Sequence, residues 1–215
     1  MRIFLFLTLF SFLFAQPTII QKPILFTKER IDLTKEYIKK HYGLNVKNIE
    51  ITPKIIVLHW TAILDFPCCF HLLEDEKLNT QRAYINRASH LNVSAHYLVD
   101  RDGTIYQLMP DNWMARHVIG LNYSSIGIEN VGGDCNKEED LTSKQVQANV
   151  ELIRYLKKKY PTIEYLIGHY EYLKMKNTPL WLEKDPKYKT YKKDPGEKFM
   201  HDVRERVKDL GLKKP

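Results

Sequence analysis

Ile55-Ile56-Val57-Leu58-His59 is the stretch on which the architecture turns: four consecutive apolar residues, three of them β-branched, followed at once by an imidazole. A strand with one face in water alternates apolar and polar side chains, so an unbroken apolar run belongs to a strand covered on both faces in the middle of a sheet. His59 then stands at the C-terminal end of that strand, where open α/β sheets carry their sites. Ile163 to Gly168 repeats the arrangement and ends at His169.

Outward from these two strands, Ile126 and Ile128 alternate with Gly127 and Glu129, which predicts a further strand that turns Glu129 away from the isoleucines. The segment His96 to Leu108 predicts a hairpin about Asp100-Arg101-Asp102-Gly103, with the glycine free to take a positive φ. A helix is expected over 28–42, where Ile31, Ile38 and Tyr42 recur among charges before Gly43. Another follows Thr142, whose capping box with Gln145 opens a face of Val146, Val150, Ile153 and Tyr160. Phe199, Val203, Val207 and Leu210 predict a last helix stopped by Gly211. Strands interleaved with helices make the chain α/β.

The chain has 215 residues, 44% hydrophobic, 12% aromatic and 27% charged: the size and apolar content of one compact domain, without the bias of a disordered or fibrous protein. Lys and Arg number 33 against 26 Asp and Glu, and the net charge of +7 draws the chain to polyanionic surroundings such as nucleic acid, anionic lipid or bacterial cell wall. Arg2, the run Ile3 to Phe14 that is apolar except at Thr8 and Ser11, and then Ala15-Gln16-Pro17 have the layout of a secretory signal peptide over residues 1–15. The run is shorter than the roughly 20 residues that span a bilayer, so export to a periplasmic or extracellular space is expected, without stable membrane insertion after cleavage. Residues 16–53 read as an N-terminal extension with a helix, and 54–215 as the main domain. The lysines are dispersed and an exported protein rarely meets nucleic acid, so that partner is not expected; a monomer is.

Cys68, Cys69 and Cys135 are an odd set, which allows at most one internal bridge. A bond from Cys68 or Cys69 to Cys135 would close a loop of about 66 residues, worth about 4 kcal/mol in the chain-entropy picture. Adjacent cysteines lack the spacer that lets both sulfurs face one ion, which disfavours a zinc site on Cys68, Cys69 and His71.

Of the 8 histidines, His59 and His169 each terminate a predicted buried strand. Either one alone reads equally as a hydrogen-bonded core residue. Asp194, in Asp194-Pro195-Gly196-Glu197, is a candidate third partner, although the same four residues also form an ordinary helix start with Asp as N-cap. Two imidazoles and one carboxylate would leave a tetrahedral Zn²⁺ with one open position, the arrangement of a hydrolytic zinc site. His41, His71, His90 and His201 read as surface or packing residues.

Several blocks occur in one order: Val57-Leu58-His59-Trp60-Thr61-Ala62; Ser94 to Tyr106; Ala115-Arg116-His117; Ser125-Ile126-Gly127-Ile128-Glu129-Asn130; Gly168-His169; and Asp194-Pro195-Gly196. This ordered set, from about Ile55 to Gly196, resembles the zinc-dependent N-acetylmuramoyl-L-alanine amidase and peptidoglycan-recognition-protein family. The resemblance implies a central mixed β-sheet flanked by helices, with a zinc site at the strand ends and peptidoglycan or muropeptides as partners. It implies that His59, His169 and Asp194 bind Zn²⁺, that Glu129 faces the water the ion activates, and that Lys192 stabilises the oxyanion of an attacked amide. It further implies substrate-cleft places for Trp60, His96, His117 and Asn130; His117 and His96 would orient substrate or support the ligands from behind, not bind the ion, with a structural role for His96 equally open. The activity implied is hydrolysis of the amide between N-acetylmuramic acid and L-alanine; the alternative is a recognition module that binds without cleaving.

The chain departs from the family pattern between His169 and Asp194, where 25 positions separate two expected ligands and imply an insertion. Tyr170, Tyr172, Trp181, Tyr188 and Tyr191 among many lysines suit stacking on sugar faces, and suit packing onto the domain equally. Asp185-Pro186 competes there with Asp194-Pro195, but Lys192 and Gly196 match the motif around Asp194.

Overall fold

A computed structural model describes residues 16–78, 87–134 and 140–215. The expected signal segment and Cys135, with its proposed bridge, lie outside the described residues; among the described residues Cys68 and Cys69 form no disulfide. Six strands form one sheet in the order β1-β4-β3-β5-β2-β6. They are β1 (Ile19–Gln21), β2 (Ile55–Leu58), β3 (Tyr97–Val99), β4 (Ile105–Gln107), β5 (Ser125–Asn130) and β6 (Tyr165–Gly168). The β3–β4 hairpin is antiparallel and every other neighbouring pair is parallel, which makes the sheet mixed.

β2 lies between β5 and β6, and all four of its residues are buried, as its unbroken apolar run requires. Two helices cover one face: α3 (Ser143–Lys159) and α4 (Glu197–Arg206) pack Val146, Ile153 and Val203 onto Ile56, Leu58, Ile126 and Ile128. The other face carries Ile55, Val57 and Ile167 under Tyr37, Ile38, Tyr172 and Met175. α1 (Lys28–Tyr37) runs on as a wider π turn, Ile38–Tyr42, and stops at Gly43, whose φ of 68° is the left-handed cap that glycine takes without strain. The Thr142–Gln145 capping box of α3 is present, and the same Gln145 amide donates to the carbonyls of Val99 and Val131, joining the helix start to the sheet.

Two elements carry too little sequence signal to stand out. β1 has three residues, and pairing with β4 brings the start of the N-terminal extension into the sheet. α2 (Phe66–Glu74) is apolar enough to hide its helical period, although Asp65 caps it by accepting from the Cys68 N–H, and Pro67 sits in its first turn.

The sheet's periodicity places the chemistry. Side chains two residues apart share a face, so residues 55, 57 and 59 lie on one side of the sheet, as do 125, 127 and 129, and 165, 167 and 169. Leu58 is in register with Ile128 on one side and Gly168 on the other. One residue further along, His59 therefore stands beside Glu129 and His169 on the same face, at the end where all three parallel strands terminate.

Candidate active site

Three donor atoms meet at that end. His59 Nδ1 lies 2.9 Å from His169 Nδ1 and 3.1 Å from Asp194 Oδ2, and His169 Nδ1 lies 2.9 Å from the same oxygen. Ligands held about 2.0–2.1 Å from a tetrahedral ion stand about 3.3 Å apart, so a few tenths of an ångström of relaxation would fit the three to Zn²⁺. All three residues are buried, and two imidazoles with one carboxylate are the donors such an ion takes.

Each arm is fixed by its own backbone. The His59 N–H donates to Ile128, and its carbonyl accepts from both the backbone and the side-chain amide of Asn130. His169 opens a 3₁₀ stretch, His169–Asn177, whose start is closed by Glu171 accepting from the Gly168 N–H. Arg204 of α4 pairs with Glu171 from the other side. The Tyr170 N–H donates to the Asp194 carbonyl at 3.0 Å, which brings together the two ends of the stretch that separates His169 from Asp194 by 25 positions. α4 starts only at Glu197, with Gly196 as its cap, so Asp194 is not the N-cap that its local sequence also allowed. Asp185 is exposed and stands apart from the cluster.

Burial, reinforced by the neighbouring His169, lowers the His59 pKa to about 4. Burial alone would push Asp194 up, but His169 and His59 together hold it well below the usual carboxylate range. A neutral imidazole and an ionised carboxylate are the forms that bind a metal.

A cleft of about 430 Å³ opens above the cluster, and Glu129, Lys192 and Trp60 line it. Trp60 is wedged between two glycine turns: a Cβ on Gly133 would stand 2.4 Å from the indole, and one on Gly196 would stand 3.2 Å away. Both glycines have positive φ, so the loop after β5 and the turn after Asp194 are shaped around this ring. His117 is half-buried at the cleft floor, 3.0 Å from His59 Nε2, and burial with the nearby His59 holds its pKa well below the ordinary histidine range.

His96 and Asn130 lie elsewhere than a cleft role suggests. His96 is fully buried and is absent from the lining; Nδ1 accepts from Gly127 and Nε2 donates to the Trp113 carbonyl, which is the structural role left open for it. Asn130 is also fully buried, and holds the His59 backbone while its own oxygen accepts from Asn149 of α3.

The cleft has further walls, among which the sequence marks Tyr188 but not Tyr37, Thr190 or Arg116. Tyr37 of α1 and Tyr188 and Thr190 of the insertion line it together with Arg116, whose buried guanidinium donates to the carbonyls of Ser89 and Leu91 and to the Tyr188 hydroxyl. Arg116 stands in the Ala115-Arg116-His117 block, where the resemblance singles out only the histidine. Within the insertion, Trp181 stacks on Tyr172 and abuts Gly120, so these aromatics pack, whereas Tyr191 is 89% exposed. Among the described residues no helix is long and apolar enough to cross a membrane.

The sequence pattern of the Amidase_2 family, N-acetylmuramoyl-L-alanine amidase, matches residues 50–197, well over half of the chain. An endolysin of Klebsiella phage KP32 is 34% identical over 84 residues, covering 38% of this chain and 55% of the endolysin, so the match spans about half of that relative's length. Among solved structures, the N-acetylmuramoyl-L-alanine amidase LysC from Clostridium intestinale URNW is similar with a TM-score of 0.53 at 22% identity, over 92% of this chain and 99% of LysC. A selenomethionine AmpD derivative gives 0.56 at 24% identity, over 87% of this chain and 93% of AmpD. The mixed sheet is thus a shared fold, and with the match across residues 50–197 the chain belongs to the N-acetylmuramoyl-L-alanine amidase family.

Proposed function

We propose that the protein is a zinc amidase that hydrolyses the amide between the lactyl group of N-acetylmuramic acid and the L-alanine of the peptide stem, in peptidoglycan or released muropeptides. The observation that carries this reading is the convergence of His59 Nδ1, His169 Nδ1 and Asp194 Oδ2 beneath a cleft that also presents Glu129 and Lys192. Those three atoms would hold the ion, and a bound Zn²⁺ supplies Lewis acidity that makes water a nucleophile near neutral pH and polarises a carbonyl.

The chain's own groups supply the proton transfer. The Glu129 carboxylate takes the proton of the attacking water as the carbon–oxygen bond forms, and returns it to the departing nitrogen as the carbon–nitrogen bond breaks. The products are a lactyl carboxylate and a free L-alanine amine. The Lys192 ammonium meets the negative charge that grows on the carbonyl oxygen. The net charge of +7 favours approach to an anionic wall, and the sequence of residues 1–15 supports export to the compartment where that wall lies.

Mass spectrometry of products from purified peptidoglycan tests the reaction. Stem peptides with a free N-terminal L-alanine are expected, lost on chelation and restored by zinc. Binding to the wall with no cleavage, in protein shown to hold zinc, would instead identify a recognition module.

A further inference from the structure

A line of hydrogen bonds runs from the sheet into the donor cluster. The Ser125 hydroxyl donates to the Leu121 carbonyl at 2.9 Å. Its oxygen is 3.1 Å from His117 Nε2, and with its proton already given to Leu121 it can only accept there. His117 Nε2 therefore carries the hydrogen, and a neutral imidazole that donates from Nε2 is bare at Nδ1. That bare Nδ1 faces His59 Nε2 at 3.0 Å, so His59 must donate from Nε2 and keep its own Nδ1 free of a proton. Nδ1 is the atom that points at His169 and Asp194. Within the cluster a single N–H on His169 Nδ1, directed at Asp194 Oδ2 and His59 Nδ1, then serves two of the three close contacts, and the third, His59 Nδ1 to Asp194 Oδ2 at 3.1 Å, is left as two lone pairs turned toward each other, an arrangement that a cation between them would relieve.

The fold makes room for this line. Gly127 lies on β5 between Ser125 and Glu129, and a Cβ there would stand 2.7 Å from the His117 ring. Ser125 is fully buried, so its hydroxyl has no water to turn toward. We propose that Ser125 and His117 are positioning residues that set the tautomer of His59, presenting its Nδ1 lone pair to a metal before one arrives. This gives the supporting role open to His117 a defined atom, direction and partner in Ser125, and rests on the reading of His59 as a ligand. The general reason is that a ligating imidazole takes its tautomer from the bond made by its other nitrogen.

Two measurements test it, neither of them turnover. Two-bond ¹H–¹⁵N spectra of the metal-free full chain report which ring nitrogen carries the proton, and Nε2–H is expected for both His59 and His117. A wild-type spectrum with the proton on His59 Nδ1 would overturn the proposal without any variant. Zinc affinity by competition with a chromophoric chelator is the second. His117→Phe should bind zinc 10- to 100-fold more weakly, the usual cost of losing an outer partner of a metal ligand. His117→Asn, whose side-chain oxygen can replace Nδ1 as the acceptor, should recover most of the loss. Equal affinity in wild type and a folded His117→Phe would refute the relay while leaving the metal site standing. Absence of zinc binding by the wild type would refute the site itself.

Discussion

Replacing Glu129 by Gln separates the holding of a metal from the chemistry done beside it. Glu129 is the fifth residue of β5, in register with Leu98, and its side chain reaches the cleft from the same face as His59. It is not one of the three convergent donors, so zinc content should be unchanged. The amide has nearly the shape of the carboxylate and leaves the β3–β5–β2 ladder intact, so stability should move by less than about 1 kcal/mol, as for substitutions outside the core. What disappears is a group able to accept a proton. Positioned proton transfer is worth about 10²- to 10⁴-fold in rate, or about 3 to 5 kcal/mol of barrier. The loss should fall on kcat, because the carboxylate acts in the transition state and not in ground-state binding. Turnover of a purified muropeptide followed by chromatography, with metal content and thermal midpoint measured on the same sample, reads all three quantities. Turnover within about tenfold of wild type, at full zinc occupancy, would sink the assignment and move the base role to another cleft group.

Lys192→Ala should likewise retain zinc, and lose about 10²- to 10³-fold in kcat, the range for removing one oxyanion donor; an unchanged kcat with a higher KM would make Lys192 a substrate anchor instead. Asp194→Ala removes one of three convergent donors, and elemental analysis after dialysis should find metal and activity lost together, with full zinc occupancy counting against the site. Trp181→Ala strips the insertion of its contact with Gly120 and Tyr172; it should cost about 1 to 2 kcal/mol and raise KM while leaving zinc stoichiometry alone, and an unchanged KM would limit the insertion to packing. Burial lowers the pKa of His96 to about 4, so the unfolded chain binds a proton there that the folded chain refuses. Stability of the metal-free protein should therefore be full above about pH 6.5 and fall toward pH 4, by about 3 kcal/mol for this group; urea midpoints that stay flat across that window would contradict the burial argument.

Much of the fold was legible because its signals are local. Four apolar residues before His59, three of them β-branched, mark a strand buried on both faces, and the capping box at Thr142 and Gln145 is complete within four residues. Glu129 could be assigned to the face opposite Ile126 and Ile128 because strand periodicity is two, and the structure puts those isoleucines in the core and Glu129 in the cleft. β1 escaped notice because three residues have no period to read, and its pairing with β4 crosses more than 80 positions of chain. α2 escaped because a nearly all-apolar helix shows no face.

For the site, the sequence by itself determined which residue types were at hand and that two histidines end buried strands. It could not choose between Asp194 as a helix cap and Asp194 as a third donor, because both readings satisfy the same four residues. That choice lies in contacts across 25 and 135 positions, where the Asp194 oxygen meets His169 and His59. The resemblance pointed His96, His117 and Asn130 toward the cleft, with a structural role open for His96, but the sequence could not say which atoms of each side chain would be engaged or by what. An imidazole or an amide has two hydrogen-bonding ends, and only the packing of β5 against its neighbours decides that His96 gives both to backbone, that Asn130 gives one to the His59 carbonyl and one to Asn149, and that His117 turns one toward His59.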